Sequence, residues 1–317
     1  MSTAVIEAPS VEVPAPPRST PGGEKPTAGP LVIETTSAYS AALDAVRLSG
    51  WTVGVVPTMG ALHDGHRSLI RRAADECDVV AVSVFVNPTQ FGDAADLADY
   101  PRTLEADLEV IGSNGGHLVF APSVGEMYPD GLGTGPTSVS VPGLGARWEG
   151  ASRPGHFDGV ATVVVKLLSA AGRCRAYFGE KDFQQLAVVK RVVRDLSLPT
   201  EVVGCETVRD ADGLALSSRN ARLAADQRGA ALVLARALRS GAAMVARGEE
   251  HPEAVVAMME RMVADEPKVT LDYAAMVHAD DLERALSCTT ARPLRLLIAA
   301  TVGAIRLIDN LDPRSGC

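Results

Sequence analysis

From Leu31 onward, short runs of β-branched residues alternate with amphipathic helical stretches, and this alternation narrows the fold more than any other property of the chain. The pattern predicts a helix over Ser37–Leu48 that Gly50 ends, a buried strand over Thr52–Val56, a helix over Gly65–Cys77 and a strand over Val79–Val86. The last three make a βαβ unit, whose crossover forces its two strands parallel. The alternation continues as helix Leu104–Ser113, strand His117–Phe120, helix Val160–Ala171, strand Arg175–Phe178, helix Phe183–Leu196 and strand Glu201–Cys205. The expected fold class is α/β: a doubly wound, mostly parallel, Rossmann-like sheet with helices on both faces. Ligands of such sheets bind beyond the carboxyl ends of the strands, which is where Pro57 to His66 falls.

After about residue 207 the texture changes. Two Ala-rich helices, Ala224–Arg247 and Glu253–Asp265, precede strands Leu271–Val277, Leu294–Ala300 and Ala304–Asp309, the last two turning near Val302-Gly303. The expected organisation is a disordered Pro/Ser/Gly-rich extension over 1–30, a ligand-binding domain over 31–206, and a smaller α+β, lid-like domain over 207–317. The extension lacks the basic start and apolar core of a signal peptide. A formal charge of −9 argues against a nucleic-acid surface, and the longest uninterrupted apolar run is far short of a membrane span. The cysteines, Cys77, Cys174, Cys205, Cys288 and Cys317, are scattered without zinc or disulfide spacing, which points to reduced thiols in a cytoplasmic setting.

Five segments crowd polar groups at the ends of expected elements. In the first, Pro57-Thr-Met-Gly-Ala-Leu-His-Asp-Gly-His66, two histidines sit three residues apart at a strand-to-helix junction. Unpaired N–H groups and the helix dipole suit an anion there, imidazoles add hydrogen bonds to a developing charge, and Gly65 allows close backbone approach. The second, Phe85 to Gly92, carries Asn87 and Gln90, amides that suit an alcohol-bearing organic acid or, equally, a polar turn begun by Asn-Pro. The third, Asp99 to Asp107, offers Thr103 as an N-cap with Glu105 and Asp107 in the first turn; Asp107 could also help hold Mg²⁺ on a polyphosphate. The fourth, Tyr177 to Gln185, places Lys181 as a phosphate charge, Asp182 as an acceptor for ribose hydroxyls, and Gln185 one turn along the face of Lys181. The fifth, Gly213 to Asn220, gathers Ser217, Ser218 and Arg219 into an oxyanion clamp, or else a capped helix start with a surface arginine.

The His63-x-Gly-His66 pattern resembles the signature of the nucleotidyltransferase superfamily. Taken with Phe85-Val-Asn-Pro-Thr-Gln-Phe91, Tyr100-Pro-Arg-Thr103, Glu149-Gly150, Arg153-Pro-Gly-His-Phe157, Phe178-Gly-Glu-Lys-Asp-Phe-Gln-Gln185, Leu216-Ser-Ser-Arg-Asn220 and Arg306-Leu-Ile-Asp-Asn310, the chain resembles the pantoate–β-alanine ligase family from about Leu31 to Leu311. The resemblance implies ATP-dependent condensation of pantoate with β-alanine through a pantoyl adenylate, with Mg²⁺ on the phosphates and release of AMP and pyrophosphate. It also implies a homodimer.

By that resemblance, Met59, Gly60, His63, Gly65 and His66 line the ATP site, with His66 the proton donor. Gly179, Glu180, Lys181 and Asp182 hold ribose and phosphates, Val208 meets adenine, and Leu216, Ser217, Ser218 and Arg219 clamp the triphosphate. Gln90 and Gln185 hold pantoate, Gln90 also lies near β-alanine, and Asp107 is the metal candidate, although Ala106 stands where some relatives carry a second acid. Arg153 and His156 fall in a family motif, whereas His117, His251 and His278 read as ordinary. Two rivals remain open. A nucleotidyltransferase with a phosphorylated acceptor would want cations where Asn87, Gln90 and Gln185 stand. A silent nucleotide-binding protein would have lost one of His63, His66, Lys181 or Arg219.

Overall fold

The computed structural model describes residues 29–92, 94–132 and 137–314. Apart from Gly29 and Pro30, the extension expected over 1–30 lies outside the described residues. In chain order the first part runs β1 (Leu31–Ile33), α1 (Thr36–Leu48), β2 (Val53–Thr58), α2 (Asp64–Glu76), β3 (Val79–Val84), α3 (Ala94–Ala98), α4 (Leu104–Ser113) and β4 (Leu118–Phe120). Short helices α5 (Val124–Met127), α6 (Pro142–Gly145) and α7 (Glu149–Ser152) lead to α8 (His156–Ala171), β5 (Cys174–Gly179), α9 (Phe183–Asp195) and β6 (Thr200–Cys205). Then come α10 (Ala225–Ala246), α11 (Pro252–Ala264), β7 (Val269–His278), β8 (Leu294–Val302) and β9 (Ile305–Leu311).

The first sheet has the order β1-β4-β3-β2-β5-β6, and every pairing in it is parallel. From β2 the chain steps outward through β3 and β4 on one side, then returns to lay β5 and β6 on the other. Neighbours β2 and β5 therefore mark the topological switch, where the flanking loops diverge and leave a crevice. Alternation along the strands buries both faces: Val53, Val55, Val79 and Ala81 join the core under α1, α8 and α9, while Val56, Val80 and Val82 join the one under α2 and α4. This is the doubly wound sheet that the alternation predicts.

The second sheet is an antiparallel meander, β7-β8-β9, with a bulge between Leu271 and Tyr273. Its Met276, Leu296, Ile298 and Ala300 pack with α10 and α11, while Ala275, Val277 and Leu297 enter the core of the first sheet. The two layers thus share apolar surface. Helix α10 is long and apolar enough to cross a membrane by length and composition, although no unbroken apolar run is; half of that stretch is buried, and the helix lies against α11 and β8.

Differences from the expected boundaries have local causes. Helix α8 starts at His156, a turn before Val160, because Gly155 takes a left-handed φ of +79° and aims the chain into the helix. Thr103 does stand at the N-cap of α4 but makes no side-chain cap bond; its hydroxyl turns to Asp107 Oδ2 at 3.2 Å.

Candidate active site

Strand β2 ends in Thr58, whose hydroxyl donates to Ser83 O on β3 at 2.7 Å and accepts from Gly60 N at 3.1 Å. Gly60 and Ala61 then adopt left-handed φ values of +80° and +52°, turning the chain so that α2 starts at Asp64 with His63 as its N-cap. His63 Nδ1 accepts from Gly65 N at 3.2 Å, and His66 Nδ1 accepts from His63 N at 3.3 Å. A nitrogen that accepts a backbone N–H cannot carry the ring proton, so each neutral imidazole is the Nε2–H tautomer and presents a donor. The ring centroids lie 4.1 Å apart. Burial, then the charge of Lys181, lowers His63; burial, then the His63 imidazole, pushes His66 down to about 3. Gly65 is required by space: a Cβ there would lie 2.9 Å from the His63 ring, with Leu216 Cβ at 4.0 Å on the other side.

Across the switch, β5 delivers Gly179 to Asp182 in a 3₁₀ turn ahead of α9. Lys181 Nζ donates to Asp182 Oδ1 at 3.3 Å. Burial alone would raise the Asp182 carboxyl, but the Lys181 charge and hydrogen bond, together with the charge of Arg219, hold the group lowered. The turn is tied down from the second sheet. Asn310 Nδ2 donates to the carbonyls of Glu180 and Lys181 at 2.9 and 2.7 Å, and Arg295 pairs with the Glu180 carboxylate at 2.9 Å. Lys181, Asp182 and Gln185 line a small cavity of about 40 Å³ together with His156 and Asn310. Lys181, Asp182, Ser217 and Arg219 line a larger cleft of about 660 Å³ with Arg153 and Arg306.

Val208 and Leu216 face each other through Leu216 N donating to Val208 O at 3.0 Å. Next to them, Arg209 grips Asp309 with two bonds, at 2.6 and 2.9 Å. Ser217 caps the following 3₁₀ turn by accepting from Arg219 N, and Arg219 reaches Asp96 at 3.5 Å. The capping alternative for Ser217 is therefore realised, while Arg219 still lines the cleft. Ser218 lies near Tyr100, whose phenol is raised by burial.

Gln90 and Asn87 part company. Gln90 Nε2 lies 3.0 Å from Met59 Sδ, and the main-chain carbonyl of Gln90 accepts from His156 Nδ1 at 2.8 Å and Arg153 at 3.2 Å. Because Arg153 also donates to His156 Nε2 at 3.2 Å, His156 is a neutral Nδ1–H tautomer; burial first, then Arg153, pushes it down to about 4. Its role is thus to hold Gln90. Asn87, offered as a pantoate contact, is buried with its amide engaged: Nδ2 donates to Gly159 O and Gln90 Oε1, and Oδ1 accepts from Thr89 and Tyr128. It shapes the turn rather than facing the cleft.

Asp107 likewise departs from its expected place. It is 2 % exposed, and its carboxylate accepts from Ala61 N, Leu62 N and Thr103 Oγ1. As a magnesium ligand it does not fit, because the cation would have to displace these donors inside the protein. Among the described residues no group of three or more His, Cys, Asp or Glu gathers at metal-binding distance. His117 accepts a backbone N–H from Val80, and His251 stands at the N-cap position of α11 without a side-chain cap bond, ordinary places as expected.

The sequence reading missed several supports. Gln184 is buried and pins the loop before α7, accepting from Glu149 N and donating to Leu144 O and Arg147 O. Glu149 takes two bonds from Arg306, at 2.7 and 2.6 Å, and one from Tyr273 at 3.0 Å, joining α7 to the second sheet. Glu149 and Arg306 stand in the quoted motifs, so the signal was present without its geometry.

Lys181, Arg153, Arg219 and Arg306 line a cleft at the carboxyl edge and switch point of a parallel sheet, with His63 close enough to Lys181 to feel its charge, and this is where an α/β enzyme takes an anionic ligand. The family model described as pantoate-beta-alanine ligase matches residues 31–312. Pantothenate synthetase of Rubrobacter xylanophilus is 52 % identical over 83 % of this chain and 92 % of its own, and that of Chelativorans sp. is 49 % identical over 88 % and 96 %. The solved pantothenate synthetase of Thermus thermophilus matches at 45 % identity and a TM-score of 0.82, covering 89 % of this chain and 99 % of its own. A pantoate-beta-alanine ligase from Francisella tularensis, solved with beta-gamma ATP and β-alanine, matches at 32 % identity and a TM-score of 0.72 over 90 % and 99 %. The chain belongs to the pantoate–β-alanine ligase family, and it is an enzyme that forms a C–N bond between an acid and an amino acid.

Proposed function

We propose that the enzyme couples ATP to this bond in two steps at the β2–β5 switch. The pantoate carboxylate attacks the α-phosphate of ATP; a P–O bond forms, the bond to pyrophosphate breaks, and pantoyl adenylate remains. The β-alanine amine then attacks the acyl carbon, the bond to AMP breaks with AMP as leaving group, the amine loses a proton, and pantothenate forms. The observation that carries this reading is the pair of Nε2–H imidazoles, kept neutral chiefly by burial and lowered further by the nearby Lys181. Such donors and a cation stabilise charge growing on phosphoryl oxygens, and positioning supplies much of the remaining rate.

In this reading His63 and His66 donate to the transferring phosphate, with Met59, Gly60 and Gly65 lining the same wall. Gly179 and Glu180 shape the turn that presents Lys181 to the phosphates and Asp182 to the ribose. Val208 meets the adenine, and Leu216, Ser217, Ser218 and Arg219 close on the triphosphate. Gln90 and Gln185 hold pantoate. The split of the chain into a 31–206 binding unit and a 207–317 lid belongs to the same reading. Mg²⁺ would enter with ATP and supply charge neutralisation to the phosphates, with Asp107 not among its ligands. The reading extends to a cytosolic homodimer: the four described cysteines are free and buried, as suits a reducing compartment, and the dimer rests on family resemblance. Light scattering of the purified protein measures the latter.

Pantoate labelled with ¹⁸O in its carboxylate tests the chemistry. One labelled oxygen should appear in the phosphate of AMP. Label confined to pantothenate, or formation of ADP, would reject the adenylate route.

A further inference from the structure

The turn after β2 carries two consecutive left-handed residues, and one of them is not glycine: Ala61 holds φ +52°. An L-residue there costs free energy, so something must hold it. Such a turn also aims successive N–H groups into one concavity, a nest that ordinarily receives an anion. Here the N–H groups of Ala61 and Leu62 point at Asp107, to Oδ2 at 3.1 Å and Oδ1 at 2.8 Å. Thr103, on the preceding turn of α4, donates a third bond to Oδ2. Packing closes the arrangement, since a Cβ on Gly60 would sit 2.9 Å from Asp107 Oδ2 and 3.1 Å from Val84. The nest of the histidine loop is therefore filled by the protein's own carboxylate and is closed to a ligand phosphate.

We infer that Asp107 is a positioning residue: its buried carboxylate holds the strained Gly60–Leu62 turn, and so sets Met59 on Gln90 and the His63–His66 pair beside Lys181, without serving as a metal ligand. The turn lies between Met59, whose sulfur touches Gln90, and His63, which caps α2, so the placement of both depends on one anchor. A carboxylate is needed because every donor around it is an N–H or O–H; an amide in its place would turn an NH₂ toward one of them. Ser83 and Thr58 fix the strand end below, leaving the turn itself to Asp107.

The inference rests on the nucleotide reading only for its functional readout. Asp107→Asn, alone and with Ala61→Gly, is compared with the parent by calorimetric ATP binding in EDTA and in Mg²⁺. Hydrogen exchange at the Ala61 and Leu62 amides is followed without any ligand. Loss of the anchor should weaken ATP at least tenfold, by the same factor in EDTA as in Mg²⁺, and should speed exchange at both amides. Ala61→Gly in the variant should recover about threefold or more in affinity, because glycine takes left-handed φ freely. If Asp107→Asn does not fold, Thr103→Val with and without Ala61→Gly reads the same quantities through the third donor, with smaller losses. A loss seen only with Mg²⁺, unchanged affinity, unchanged exchange, or no recovery with glycine would each overturn the assignment. A parent protein that binds no ATP would sink the nucleotide reading, while the exchange result would still decide the role of Asp107.

Discussion

Asn310→Leu should disable the enzyme from the second sheet, through the turn that carries Lys181. The residue is 3 % exposed and of nearly the size of leucine, so the change removes hydrogen bonds more than volume. Three bonds go: Nδ2 to the carbonyls of Glu180 and Lys181, and Arg295 Nε to Oδ1 at 2.6 Å. At about 1 kcal/mol for each neutral bond and about 1.5–3 kcal/mol for the charged one, the loss amounts to about 4 kcal/mol. Arg295 keeps Glu180, so the second sheet should stay docked while the 180–182 turn loosens. Urea unfolding followed by circular dichroism reads the stability, and initial rates of pyrophosphate release read the site. The expected result is a marked fall in unfolding free energy with kcat/KM down at least tenfold. A loss under about 1 kcal/mol with an unchanged rate would refute the claim that β9 holds the Lys181 turn.

Three further outcomes follow from the same geometry. Lys181→Met should lower adenylation by about 10²–10³ with the fold intact, because the charge acts on phosphate while its bond to Asp182, at 3.3 Å, is long; unchanged turnover would remove Lys181 from the mechanism. His66 and His156, pushed down to about 3 and about 4 by burial, stay neutral in the folded protein but take protons below about pH 6.5 once unfolded. Their share of stability is therefore complete above about pH 6.5 and lost as pH falls toward 4, with a slope approaching about 2.7 kcal/mol per pH unit for the pair. His63 and His117 are lowered by burial too and add to the measured slope, so His156→Gln should reduce it by up to about 1.4 kcal/mol per pH unit in denaturant titrations at several pH values, and an unaltered slope would mean that His156 is protonated in the fold. Gly159→Ala would set a Cβ 2.4 Å from the Thr89 carbonyl; it should cost about 1–3 kcal/mol and raise the KM of pantoate more than that of ATP, which paired titrations measure.

What could be read from sequence was local. Val53 to Val56 and Val79 to Val82 are apolar throughout because both faces of a parallel strand are covered, and that texture located the switch-point loop and its histidines. The capping of α2 by His63 is likewise a matter of three residues. What escaped joins positions far apart in the chain: Asp107 reaches Leu62 across 45 residues, Asn310 reaches Glu180 across 130, and Arg306 reaches Glu149 across 157. No periodicity encodes such pairings. Asn87 misled for a related reason: its amide turned inward because Gly159 on α8 brings a backbone carbonyl where any side chain would intrude. The four-residue helices α5, α6 and α7 are too short to show a helical period.

The most direct test of the whole account is pyrophosphate release from ATP and Mg²⁺, first with pantoate alone and then with β-alanine added. About one equivalent of pyrophosphate per active site with pantoate alone, turning into continuous release once β-alanine arrives, is the predicted result. No release until β-alanine is present would contradict an adenylate formed before the amine enters. Silence with pantoate alongside turnover on a phosphorylated acceptor would leave the fold standing and overturn the proposed chemistry.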